Sequence, residues 1–168
     1  MKRIITICVL ALTFAGMNPV QAQKDWVKQT IEGTASIKFP KAAEKLGEAP
    51  AYQYQGADSI HYVAGFIDLN EMGLDSATVM ASAGTDMFFT QVQEGIKQQV
   101  PGIELTTAEI NNWKDYPAYY MVGKDDKNTE IFMRVIFLGS RMFSLSVTVP
   151  EGQSSVSKDS FFNSFSNE

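Results

Sequence analysis

The run Ile131 to Leu138 constrains this chain more than any other stretch. Seven of its eight residues are apolar, and only Arg134 carries a charge. A strand points successive side chains to opposite faces, so apolar residues at nearly every position mean a strand covered on both sides. A two-residue Gly139-Ser140 turn follows, then Met142 to Val149, which completes a strong hairpin signal. The rest of the chain must supply a layer above this hairpin and a layer below it.

One layer is a helix over residues 76–100. Asp75 or Ser76 can cap it through a side-chain oxygen. Val79, Ala83 and Met87 fall at i, i+4 and i+8, beside a stripe of Met80, Phe88, Val92, Ile96 and Val100. Both stripes, the methionines included, read as core. Gln91, Glu94, Lys97 and Gln98 take the other side, and Pro101-Gly102 ends the helix. A second, short helix capped by Ser157 puts Phe161, Phe162 and Phe165 on one side. Gln23 to Thr30 is polar apart from Trp26 and Val27 and reads as a short helix or arm that helps cover the second face.

Other segments alternate as strands do. Ala35, Ile37 and Phe39 lead to Pro40. Tyr52 and Tyr54 alternate with glutamines, Ile60 to Leu69 is apolar at most positions, and Ile103, Leu105 and Ile110 run towards Trp113. Ala118 to Val122 follows, then a polar hairpin loop, Lys124 to Asn128. Hairpin connections dominate, so the expected fold is α+β: a mostly antiparallel sheet sandwiched by one long helix and a short C-terminal helix.

Residues 1–22 read as a signal peptide. Lys2 and Arg3 precede the apolar stretch Ile4 to Ala15, Gly16, Asn18 and Pro19 break it, and Val20-Gln21-Ala22 fits a cleavage site. The apolar stretch is too short for a membrane span, which needs about 20 residues. Cys8 lies inside it, where no lipid could be attached after cleavage, so neither a span nor a lipid anchor is expected. Residues 23–168 then form one exported domain, periplasmic or secreted. Removal of Lys2 and Arg3 takes the charge from -5 to 12 − 19 = -7, and removal of Cys8 leaves no cysteine. A domain of about 150 residues buries roughly 68–70% of its unfolded surface, enough to stand without disulfides.

The opening strand ending at Phe39-Pro40, the helix of residues 76–100, Gly139-Ser140-Arg141 before an aromatic strand, and the closing Phe161-Phe162-Asn163-Ser164-Phe165 together resemble the PsbP-like superfamily. The likeness spans about residues 31–166. It implies a small, often exported domain with an antiparallel sheet packed between helices, and a docking or accessory role. It implies no active site, so it assigns no functional residue.

The residues themselves point away from most chemistry. A net negative chain offers no footprint for nucleic acid. With one histidine and no cysteine after cleavage, neither a nucleophile–base pair nor a typical zinc site is expected, and no cofactor or metal is assigned. Asp68 to Asp75 opens like a calcium loop, but Met72 and Val79 occupy ligand positions. It reads as a capped loop, and Asp126, Asn128 and Glu130 as turn residues. Four residues remain as binding candidates. Arg134, one of two arginines left after cleavage, needs an ion pair or a pocket. His61 lies in a strand and reads as a hydrogen-bonded sheet histidine or a ligand contact. Tyr119 and Tyr120 offer area with a polar tip. The expected function is a non-catalytic exported accessory or binding domain whose partner is an unknown protein or envelope component. The alternatives are a carrier of a small anionic ligand at Arg134, or a carboxylate-based hydrolase.

Overall fold

The computed structural model describes residues 25–168, so the expected signal peptide lies outside the described residues. Strands β1 (Val27–Glu32) and β2 (Ala35–Phe39) form a first hairpin. Strands β3 (Glu44–Lys45), β4 (Ala51–Gln55) and β5 (His61–Asp68) follow, then a 3-10 turn at Leu69–Met72. Helices α1 (Ser76–Ser82) and α2 (Asp86–Gln99) come next. Strands β6 (Glu104–Trp113), β7 (Tyr116–Lys124), β8 (Glu130–Leu138) and β9 (Arg141–Val149) make a meander. Helix α3 (Ser157–Asn163) and strand β10 (Ser166–Asn167) complete the order.

Seven strands form one sheet in the order β3-β4-β5-β9-β8-β7-β6, with every pair antiparallel. The β8–β9 hairpin is as expected, and Gly139 turns it at φ 66°, a left-handed conformation that glycine adopts without strain. A separate three-stranded sheet, β1-β2-β10, includes the expected strand Ala35–Phe39, and its β1 stands where a short helix or arm was expected. Val27–Glu32 is an edge strand with only Ile31 buried, which is why its sequence reads as polar.

The two faces of β8 explain its composition. Ile131, Met133, Val135 and Phe137 join Val79, Ala83, Phe89, Tyr119 and Met121 in a core beneath α1 and α2. Phe132, Ile136 and Leu138 join Ile37, Phe39, Phe143, Leu145, Phe161 and Phe162 in a second core, beneath α3 and the small sheet. The fold is α+β with a mostly antiparallel sheet between two layers.

The single long helix is instead two helices. Gly84 and Thr85 interrupt it: the Thr85 hydroxyl donates to the Ser82 carbonyl at 2.7 Å and accepts from the Phe88 amide at 3.4 Å, capping α2. A side chain that bonds the backbone at both ends of a turn competes with helix continuation. The break rotates Met87 out of the core stripe to 74% exposure. Asp75 caps α1 by accepting from the Thr78 amide at 2.8 Å. Ser157 caps nothing. It is the first residue of α3, and its hydroxyl accepts a 2.7 Å hydrogen bond from Tyr62.

Candidate functional site

The face of the large sheet that carries α1 and α2 is covered on only one side. Register places Gln53, Gln55, His61, Val63, Ser144, Ser146 and Thr148 on that face, across β4, β5 and β9. All seven are exposed or half-buried. Amides and hydroxyls make up most of this set, although the same register adds Ala51, Gly65, Ile67 and Met142 to the face, and β3 with the loop before it borders the outer end. The result is a cleft of about 440 Å³ lined by Lys41, Ala42, Glu44, Gln53, Tyr54, Gln55 and His61.

His61 sits at the cleft through an Nε2 to Gln53 Oε1 hydrogen bond of 3.0 Å. With the amide oxygen accepting, Nε2 carries the proton and Nδ1 keeps a free lone pair. Burial lowers the imidazole pKa below 6.5, so the ring is neutral at pH 7. Its partner is an amide rather than a carboxylate, which is the geometry of a positioned polar contact. Lys41 and Glu44 add one charge of each sign.

Arg134 lies on the opposite face, in the cross-strand row Glu109–Tyr120–Arg134–Leu145. Among the described residues no carboxylate comes within 4.0 Å of it; the ion pairs there are Lys97–Glu94, Lys124–Glu130 and Lys158–Asp159. The guanidinium carbon instead lies 5.1 Å from the centre of the Phe162 ring. Lys158 mirrors this arrangement 5.1 Å over Phe132. Thus β8 and α3 exchange a cation for an aromatic face in both directions, at i, i+2 on the strand and i, i+4 on the helix. Burial pushes the guanidinium pKa down, opposed by Tyr120 and Asp159. Tyr120 is half-buried edge-on to Phe162 at 6.4 Å, its pKa raised by burial and then by Asp159.

Tyr119 is not at a surface. It is fully buried, and its hydroxyl donates to the Ala83 carbonyl at 2.6 Å, where it holds α1 to the sheet. Burial raises its pKa to about 12. The four sequence candidates therefore occupy three places: His61 in the edge cleft, Arg134 and Tyr120 beneath α3, and Tyr119 in the core. Sequence reasoning missed the glutamines. Their signal was available, since Gln53 and Gln55 alternate with Tyr52 and Tyr54 on a strand with one polar face.

The acidic loops hold their own backbone. Asp68 accepts from the Asn70 amide, and Asp125 from the amides of Lys127 and Thr129. Among the described residues no group of three or more His, Cys, Asp or Glu side chains is arranged to hold a metal. No helix among them is long and apolar enough to cross a membrane.

No protein-family model matches this chain, and no curated protein sequence does. Solved structures do. Cyanobacterial PsbP (CyanoP) from Synechocystis sp. PCC 6803 superposes with a TM-score of 0.65 at 11% identity, covering 86% of this chain and 93% of its own. A protein from Bacteroides thetaiotaomicron VPI-5482 gives 0.46 at 13% identity over 87% of this chain, which spans about half (49%) of its length. A Pseudomonas aeruginosa protein of unknown function, PA94, gives 0.46 at 11% identity, covering 80% and 90%. The fold expected from the sequence is the fold found: this chain is PsbP-like in architecture.

Proposed function

We propose that this chain is a non-catalytic, exported accessory domain that binds a partner protein or envelope component through the polar half of its large sheet. Fold alone does not assign function, since one architecture serves many roles. The observation that carries the reading is the His61–Gln53 pair. In an open cleft edged by Lys41 and Glu44, the neutral imidazole offers Nδ1 as an acceptor and the Gln53 side-chain amide offers its N–H groups as donors. The same lone pair on Nδ1 is what a general base would use, and turnover at His61 is the competing outcome.

Photo-crosslinking tests this. A photoreactive residue at Gln55 in the exported full chain should give a discrete adduct, reduced at least tenfold by Gln53→Ala with His61→Ala. Turnover of an ester, amide or glycoside substrate that disappears in His61→Ala would overturn the reading.

One observation favours a second reading, carriage of a small anion. Arg134 has no carboxylate within 4.0 Å among the described residues. Citrate, phosphate and acetate should each be tried in thermal unfolding. A concentration-dependent rise in Tm that Arg134→Gln abolishes would support it. Arg134 does not line the His61 cleft, and its guanidinium lies against the Phe162 ring. The accessory reading is therefore preferred.

A further inference from the structure

The two edges of the seven-stranded sheet are built differently. At one end β3 is only two residues long and carries Lys45, a short charged edge of the kind that discourages pairing. At the other end β6 is ten residues long, the longest strand present among the described residues, with neither lysine nor proline. Its register with β7 slips once, between Leu105 and Thr107, and then runs without interruption from Thr107 to Trp113. Ala108, Glu109, Ile110, Asn111 and Asn112 are all exposed, on both faces of the strand. Every residue whose N–H and C=O point away from β7 thus presents an unpaired donor and acceptor to solvent.

The regular segment 107–113 is centred on Ile110, a large apolar residue left 36% exposed. Antiparallel pairing of two copies about a two-fold axis at Ile110 sets Ile110 against itself. Glu109 then faces Asn111 of the other copy, Ala108 faces Asn112, and Thr107 faces Trp113. No like charges meet, and the carboxylate finds an amide donor. A shift of the axis by one residue, to Glu109, would place two carboxylates opposite each other. The bulge stands just outside the paired segment and would mark its limit. Trp113 is held in place by Tyr116 at 6.4 Å and Phe165 at 5.0 Å, so the last pair is preorganised.

We infer that β6 is a self-association edge, where two copies of this chain pair antiparallel about Ile110 and join their sheets into one of fourteen strands. The interface is isologous and closed, which limits assembly to a dimer because β3 caps the far edge. It does not depend on the proposed function, whose cleft lies at the other end of the sheet.

The test uses the full chain carrying Cys8→Ser, which leaves no cysteine. Adding Ile110→Cys should give a disulfide-linked dimer under mild oxidation, because directly opposed residues in antiparallel strands have Cα atoms about 4.5–5.5 Å apart, within disulfide reach. Met87→Cys, exposed on α2, should give at least tenfold less. Without the added cysteine, sedimentation at rising concentration should show a monomer–dimer equilibrium that Ile110→Lys shifts at least tenfold towards monomer. A monomer at every concentration up to about 1 mM, with no excess crosslinking at residue 110 over residue 87, would overturn the inference. So would stronger crosslinking at Glu109→Cys than at Ile110→Cys, or β6 crosslinking only to a different protein.

Discussion

One face of the seven-stranded sheet carries two unlike halves. Over β7 and β8 it is apolar and roofed: Tyr119, Met121, Val135 and Phe137 lie beneath α1 and α2. Over β4, β5 and β9 it is polar and open, with Gln53, His61, Ser144, Ser146 and Thr148. The change occurs between two strands joined by a tight turn. From Ile131 to Leu138 both faces of β8 are apolar except at Arg134, whereas β9 alternates strictly, with Phe143, Leu145, Val147 and Val149 buried and the serines and threonine between them outward. Coverage is thus set strand by strand rather than by the sheet as a whole. The helical layer ends where β9 begins to alternate, and the open face begins there.

Substitutions can break this contrast. Under the roof, Phe137→Ala should cost about 3–5 kcal/mol, because a fully buried ring leaves a cavity that its neighbours Tyr119 and Phe88 cannot fill. Urea unfolding would show it as a lower midpoint with an unchanged slope.

Tyr119→Phe keeps the ring and removes the hydrogen bond to Ala83, an expected loss of about 1–1.5 kcal/mol. It should also change the alkaline limb. The folded-state pKa, about 12, lies above the unfolded value of 10.0, so the folded chain holds a proton that the unfolded chain releases. Stability from this group is complete below pH 10 and lost as pH rises to about 12, by at most about 1.4 kcal/mol per unit. Stability measured across that window should fall less steeply in Tyr119→Phe.

On the open half the sign reverses and the effect shrinks. His61 has a folded-state pKa below 6.5, so on acidification the unfolded chain takes up a proton before the folded one does. Stability should fall as pH drops below about 6.5, and His61→Gln should remove that dependence. A pair of urea curves at pH 7 and pH 5 for each protein would decide it.

The smallest effect is expected at Ser146→Val, beside Val63 on the open face. It should change stability by no more than about 0.5 kcal/mol, as surface substitutions do. A gain or loss several times larger would mean that this half is covered after all, and the two halves would no longer differ.

Much of the fold was legible where local chemistry and burial agree. The β8–β9 hairpin, the Asp75 cap, the Phe161–Phe162–Phe165 cluster and the α+β class all follow from period and punctuation. The helix break did not, because Val79, Ala83 and Met87 keep helical spacing straight through it. The competing signal was Gly84-Thr85, a poor helix former followed by a residue able to cap. The first strand was obscured because an edge strand buries one residue in six and leaves too little alternation to detect. At the site, His61 and Arg134 stood out as rare residue types. What surrounds them was hidden, because Gln53 and Phe162 come to them from other elements, and composition does not record those distances.

The pairing of β10 with β2 has a consequence in time. Ser166 lies opposite Ser36, their hydroxyl oxygens 3.0 Å apart across 130 residues of chain. The small sheet and the aromatic core beneath it therefore cannot close until residue 166 is available, however early β1 and β2 are made. A contact this distant in sequence is slow to form. Until then the core that Phe161, Phe162 and Phe165 complete stays open on that side.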